Sequence, residues 1–196
     1  MENYYTEGRF SQYVYNFFSE KLKSNNLDEY IEIKSKINIL RDITIGYEEK
    51  KKAFKLYFGF QEQDIIFCPK DYKKYIPISK ENPFFAYHWL QRGMNSIIVP
   101  LLICELKIPE SMNTHQFITY SKICEQIKEV FPYCDYYFLL ASNKKRKLMP
   151  ETVLRQGKSF DRIFLNFLES EDEKEKCWKS IYDHLMYLKT ELRIFD

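Results

Sequence analysis

A glutamate and a lysine stand close together at the end of the most apolar segment of the chain. The apolar run 97–104 (IIVPLLIC) is followed directly by Glu105, Leu106 and Lys107. If the run is a strand, side chains 105 and 107 share one face and Leu106 points to the other. A carboxylate that holds a divalent metal ion, beside an ammonium group that stabilises charge on a phosphate, is suited to phosphodiester hydrolysis.

A second carboxylate is needed on a neighbouring strand, because Mg²⁺ prefers hard oxygen ligands and usually takes one or two of them from the protein. Asp64 has the expected placement, since it directly precedes the apolar residues Ile65, Ile66 and Phe67. The residues therefore predict Asp64 and Glu105 as ligands of Mg²⁺ or Mn²⁺. Taken alone, the Glu105–Lys107 pair is also typical of a solvated salt bridge, and an aspartate often begins a strand.

A basic segment follows the next apolar run of the chain. Residues 142–162 contain seven lysines and arginines but only two acidic residues. Such a segment can contact phosphates, and it can equally be a solvated charged turn. Gly157 favours the first interpretation locally, because a glycine lets the backbone approach a phosphate closely. The predicted nucleic-acid-binding residues are Lys144, Lys145, Arg146, Lys147, Arg155 and Lys158.

Composition limits the class of protein. The 196 residues suit one domain, 1–196, and 45% hydrophobic residues with five glycines exclude a disordered or low-complexity chain. A net charge of +2 gives no global attraction to nucleic acid, so any basic surface is local. The five cysteines include no CxxC pair, and we find no signal peptide or membrane-spanning segment in the sequence. We therefore expect a reduced, soluble, cytoplasmic protein without a membrane partner.

The pattern of apolar residues predicts alternating helices and strands. An amphipathic helix opens the chain, with Phe10, Val14 and Phe18 on one face. Pro100 predicts a bulge or kink within the strand 96–106. The remaining predicted elements are a strand at 37–47, one long bent strand or two short ones at 54–69, an insertion at 70–95 with a short helix-like piece at 84–93, a helix at 115–131 that Asn113 or Thr114 caps, strands at 134–141 and 161–168, and a C-terminal helix at 171–192.

In this order the sequence resembles the PD-(D/E)xK nuclease superfamily. The resemblance covers residues 6–141 and rests on an opening helix, an aspartate that starts a strand (QDIIF), a strand ending in ExK (LLICELK), a helix and the strand YYFLLA. It implies an α/β fold with a restriction-endonuclease-like mixed central sheet flanked by helices, in an αβββαβ core. Asp64 then matches the metal-binding aspartate of the family, Glu105 the second metal ligand and Lys107 the catalytic lysine.

The resemblance implies a DNA endonuclease of restriction or phage-defence type that uses Mg²⁺ or Mn²⁺ and cuts both strands as a homodimer. Two features depart from the family pattern. Asp64 and Glu105 are 41 residues apart, which requires the insertion at 70–95, and the opening helix offers Glu7, Gln12 and Glu20 without indicating which, if any, faces the site. Two alternatives stay open: a non-catalytic nucleic-acid- or protein-binding module on the same fold, and an unrelated α+β domain with a coincidental ExK.

Overall fold

Helices and strands alternate along the chain in the computed structural model, which describes residues 6–70, 75–77, 85–89, 96–144 and 148–191. The helices are α1 (Glu7–Ser24), α2 (Thr114–Val130), α3 (Pro150–Gln156) and α4 (Glu171–Thr190). The strands are β1 (Ile31–Glu48), β2 (Ala53–Pro69), β3 (Tyr75–Pro77), β4 (Phe85–Trp89), β5 (Ser96–Ile98), β6 (Leu102–Lys107), β7 (Asp135–Leu140) and β8 (Arg162–Phe164).

The central sheet is mixed. Its strand order is β1-β2-β6-β7-β8, with β4 parallel to the first part of β2. The β1–β2 and β2–β6 pairs are antiparallel, whereas β6, β7 and β8 run parallel. The predicted fold class is confirmed: helices flank a mixed central sheet, and the order α1, β1, β2, β6, α2, β7 is the expected αβββαβ core.

Strand β6 is buried on both faces, which explains its nearly continuous apolar sequence. Cys104 and Leu106 belong to the core on the side of α1 and α4, whereas Ile103 packs in the core on the side of α2. By alternation, Glu105 and Lys107 lie on the α2 side. The charged end of this strand is therefore enclosed within the fold.

Short polar side chains fix where three helices begin. Thr6, Asn113 and Ser170 each accept a hydrogen bond from the backbone N–H three residues further on. Each satisfies a donor that the first turn of a helix leaves unpaired. Of the two residues predicted to cap α2, Asn113 does so.

The predicted strand 96–106 is wrong as a single strand. It divides into β5 and β6, and β5 pairs with β3 rather than with the central sheet. Pro100 lies in the gap and has no N–H for a strand ladder, whereas the N–H of Leu101 bonds to the carbonyl of Phe67. The central sheet therefore takes only the part that follows the proline.

Strands β1 and β2 form one long hairpin with a bend within it. The pairing register shifts between Leu40 and Asp42, opposite Gly59. A Cβ on Gly59 would lie 2.5 Å from both carboxylate oxygens of Asp42. A larger residue at position 59 would therefore require the Asp42 side chain to move.

Two further expectations concern the environment of the chain. All five cysteines are buried free thiols. Among the described residues, no helix is both long enough and apolar enough to cross a membrane.

We expect Gly157→Ala to destabilise the protein by about 1–3 kcal/mol, because the added methyl group overpacks a buried position. Its Cβ would lie 2.5 Å from Cδ1 of Ile163 and 2.7 Å from the backbone oxygen of Val153. Denaturant unfolding would measure the loss. Gly8→Ala is the control, since no atom lies within 4 Å of the added Cβ, and it should not lower stability. Equal stabilities of the Gly157 variant and the parent would contradict the packing.

Candidate active site

Lys107 lies between the two predicted carboxylates. Its Nζ is 2.6 Å from Oε1 of Glu105 and 3.6 Å from Oδ2 of Asp64. The carboxylate oxygens of Glu105 and Asp64 are therefore close to each other, since their separation cannot exceed the sum of their distances to Nζ. Residues from two strands, far apart in the sequence, thus form one cluster, which we call the Lys107 cluster. Their assignment as catalytic residues and metal ligands stays a prediction.

Asp64 marks the point where β2 and β6 separate. The ladder between these strands ends with the pair Ile65–Cys104. At the next step the Asp64 carboxylate, not the backbone of β2, accepts the N–H of Leu106, at 2.9 Å. The side chain replaces a ladder bond and fixes the carboxylate beside Glu105. The candidate site lies where the two strands part.

Burial controls the charges of the cluster. Glu105 is only 4% exposed. Burial, with the nearby charge of Asp64, raises the pKa of Glu105 to about 7, although the Lys107 ammonium opposes this. Burial alone would lower the pKa of Lys107, but Glu105 and Asp64 outweigh it and raise that pKa above its usual value. Lys107 is therefore a cation at neutral pH and cannot serve there as a proton acceptor.

Tyr136 lies beside Glu105 in the core and hydrogen-bonds to Gln63, and sequence reasoning missed both residues. The Tyr136 hydroxyl donates to Oε1 of Gln63 at 2.6 Å and lies 3.4 Å from Oε2 of Glu105. Gln63 is 1% exposed, and its Nε2 finds no hydrogen-bond partner among the described residues. The sequence could have indicated Tyr136 through its place in the predicted strand 134–141, which lies beside β6 and pairs Tyr136 with Ile103. Its polar contact depends on tertiary structure alone.

Helix α2 covers the other side of the lysine. Nζ of Lys107 lies 4.4 Å from the ring centroid of Tyr120, a cation–π distance. Gln116 lies one helical turn earlier on α2, and its Oε1 is buried without a partner among the described residues. Because residues four apart share a helix face, α2 directs Tyr120 and Gln116 to the same side. Neither residue was singled out from the sequence.

The donor set fits a hard divalent cation. Mg²⁺ is usually held by one or two carboxylates, and water and substrate phosphate complete its coordination. Asp64 and Glu105 supply two carboxylates, and the 26% exposed side chain of Asp64 leaves one side open. Within the described residues, no group of three or more His, Cys, Asp or Glu side chains could hold a metal. Besides Asp64 and Glu105, an ion here would therefore need further oxygen ligands such as water or substrate phosphate.

The predicted basic residues do not join the Lys107 cluster where the structure describes them. Lys144 forms an ion pair with Glu169, Nε of Arg155 donates to a carbonyl of its own helix, and Lys158 is exposed. Lys145, Arg146 and Lys147 lie outside the described residues. Leu140 pairs with Lys107 at the ends of parallel strands, so the basic segment leaves the sheet at the same edge as the cluster. Its role in binding stays a prediction.

The three candidates on the opening helix have other surroundings. Helix α1 packs on the opposite face of the sheet from Glu105 and Lys107. Glu7 accepts a hydrogen bond from Ser111, Gln12 donates to Asn16, and Glu20 is exposed. None of these contacts completes a metal site.

We expect the stability of the parent to fall as the pH rises from about 5 to 8, relative to Glu105→Gln. The raised pKa means that folded Glu105 holds its proton up to about pH 7, whereas the unfolded chain releases it near 4.5. Ionisation therefore favours unfolding over this range. Guanidinium unfolding in EDTA should show the variant gaining up to about 3 kcal/mol on the parent.

The matched control is Glu129→Gln, on the exposed side of α2. Its difference from the parent should not change between pH 5 and 8. A pH-independent difference for Glu105→Gln as well would contradict the buried, partly protonated glutamate.

Tyr136→Phe should destabilise the protein by about 1–3 kcal/mol, because it leaves the buried Gln63 amide with neither end bonded. Thermal or denaturant unfolding measures the loss. Combining it with Gln63→Leu removes both polar partners, so the double variant should lose less than the two single variants together. Strict additivity would show that the two side chains do not interact.

Comparisons with known proteins give a structural likeness only. No family model and no curated protein matches the sequence. Among solved structures, a similar chain is found in "native BbvCI A2B2 tetramer at low resolution", with a TM-score of 0.48 and 11% identity. The match covers 77% of this chain and 58% of that chain, so this protein spans less than two thirds of its length. BbvCI is a restriction endonuclease.

Proposed function

We propose that this protein is a divalent-metal-dependent nuclease that hydrolyses phosphodiester bonds at the Lys107 cluster. One observation carries the proposal. Two carboxylates from different strands meet one buried lysine at the point where those strands part, and the side chain of Asp64 stays partly exposed there. Charged groups are costly to bury. A cluster of three that is open on one side is typical of a functional site.

The side chains divide the work as their surroundings allow. Asp64 and Glu105 would hold the cation, which when bound supplies a Lewis acid and an activated water molecule. Lys107, charged at neutral pH, would stabilise the negative charge that develops on the phosphate and would orient the attacking water. The Tyr136 hydroxyl, held by its hydrogen bond to Gln63, lies against Glu105 on the core side. Glu105 would release its proton readily when a cation binds, since its pKa is about 7.

The finer assignment comes from the sequence resemblance. It gives DNA as the substrate, an endonuclease of restriction or phage-defence type, and a homodimer that cuts both strands. These three points are proposals. The side chains of the Lys107 cluster support the hydrolysis of a phosphodiester, whichever nucleic acid supplies it.

A non-catalytic binding module is the second candidate function. It is favoured by the short contact of Lys107 with Glu105, 2.6 Å, which makes a closed ion pair without a metal. Such a pair can serve structure alone. The two candidates differ in metal binding, because a purely structural ion pair has no need of a cation.

The parent should nick or linearise plasmid DNA with Mg²⁺ or Mn²⁺ and be inactive in EDTA. Glu105→Gln keeps the shape of the side chain but removes a negative ligand, so Mn²⁺ binding measured by calorimetry should weaken at least tenfold. Glu129→Gln should bind and cleave as the parent does. Unchanged Mn²⁺ affinity in the Glu105 variant would favour the binding module. Single-stranded DNA and RNA in the same assay would define the substrate.

Lys107→Met should reduce cleavage far more than binding. Loss of one group that stabilises a transition-state charge costs roughly 100- to 1,000-fold in rate. Loss of one phosphate contact costs far less affinity. Cleavage and binding would be measured on the same duplex, with Lys122→Met on the exposed side of α2 as the control. Equal losses of both would make Lys107 an ordinary phosphate contact.

A further inference from the structure

The outer part of the β1–β2 hairpin exposes large apolar side chains, and its residues 54–58 also pair with β4. Leu40 and Phe58 are buried, whereas the residues beyond them, 43–57, turn through a short 3-10 segment at Glu49–Lys51. We call residues 43–57 the ribbon tip. In an antiparallel ladder, residues directly opposite each other point to one face. The pairs Ile45–Leu56 and Tyr47–Phe54 therefore share a face.

That face of the ribbon tip is apolar and open to solvent. Ile45 is 63% exposed and Tyr47 is 56% exposed, and Ile43 and Phe54 are about half exposed. The rings of Tyr47 and Phe54 lie edge to face, with centroids 5.5 Å apart. On the other face, the ring of Tyr57 lies against Gly46, 3.0 Å from where a Cβ would be. Large apolar side chains clustered at a surface mark a binding site more often than chance exposure.

The charge of the ribbon tip identifies the kind of partner. Residues 48–55 (EEKKKAFK) contain four lysines against two glutamates, and Lys50 and Lys52 are exposed. A two-fold contact between two tips would bring these lysines together, and like charges oppose such a contact. A polyanion with flat apolar groups satisfies both features, since lysines attract phosphates and aromatic rings stack on bases.

We propose that the ribbon tip binds nucleic acid that extends from the Lys107 cluster. This proposal rests on the function proposed above. Phe54 and Asp64 are ten residues apart on one strand, which spans at most about 33 Å. That corresponds to roughly ten base pairs at 3.4 Å each. A duplex that extends about ten base pairs to one side of the Lys107 cluster is therefore long enough to reach the ribbon tip.

Two sets of variants test the proposal. Tyr47→Ala with Phe54→Ala removes the exposed rings, and Lys50→Gln with Lys52→Asn removes two charges. Asn tolerates the positive φ of 49° at Lys52. The controls are Tyr187→Ala, 50% exposed on α4, and Lys179→Gln on the same helix. All are exposed positions, so the variants should keep the melting temperature of the parent to within a few degrees.

Binding is measured by fluorescence anisotropy with labelled DNA of 8 and 24 base pairs, in EDTA so that the DNA stays intact. The aromatic variant should lose roughly tenfold or more in affinity for the long duplex and nothing for the short one. The lysine variant should make the slope of log K against log[salt] shallower on the long duplex, by up to about 0.9 per lost contact. Both control variants should match the parent on both duplexes.

Unchanged affinity for the long duplex, or an equal loss on both lengths, would overturn the proposal. The rival occupant is a second copy of the chain, which sedimentation velocity tests. A parent that self-associates only through Tyr47 and Phe54 uses the ribbon tip for that contact. Metal-dependent cleavage by the parent, with unchanged binding by the tip variants, rejects the tip's role alone. A parent that neither binds nor cleaves nucleic acid rejects both proposals.

Discussion

The candidate site depends on the ion pairs that the buried ammonium group of Lys107 forms with Glu105 and Asp64. Burial, and then the charge of the neighbouring Asp64, disfavour the charged form of Glu105, and the Lys107 cation together with the Tyr136 hydroxyl offsets part of that cost. The balance is incomplete, because the pKa of Glu105 remains about 7. Because the two carboxylates are not fully neutralised by Lys107, binding of a further cation would stabilise their negative charge. The same arrangement therefore connects the stability of the fold with the proposed chemistry.

The separation of β2 from β6 gives the site its open side and gives the hairpin its direction. Asp64 ends the ladder to β6 by accepting the N–H of Leu106 with its side chain. Among the described residues, the rest of the hairpin pairs within itself and with β4. Strand β2 thus carries a metal-ligand candidate in the central sheet and, at its far end, the exposed Phe54 that packs on Tyr47 of β1, which is why the two proposals concern one substrate.

Support from the core distinguishes Glu105 from an ordinary salt-bridge partner. The Tyr136 hydroxyl, which donates to Gln63, lies near one oxygen of Glu105, and Lys107 contacts the other. Tyr120 covers the lysine from α2. Both carboxylate oxygens and the ammonium are thereby held in place before any ligand binds, and positioning of this kind is what electrostatic catalysis requires.

The sequence by itself determined the parts that depend on local periodicity: the opening helix, the capped α2, the buried β6, and the placement of Glu105 and Lys107 on one face. It also indicated Asp64 at a strand start. Only the tertiary structure decided that the predicted strand 96–106 divides near Pro100 and that Lys144 pairs with Glu169. It likewise decided that Tyr136, Gln63 and Tyr120 surround the site. These contacts join residues far apart in the chain, and strand register and helix packing set them, which no local pattern of residues records.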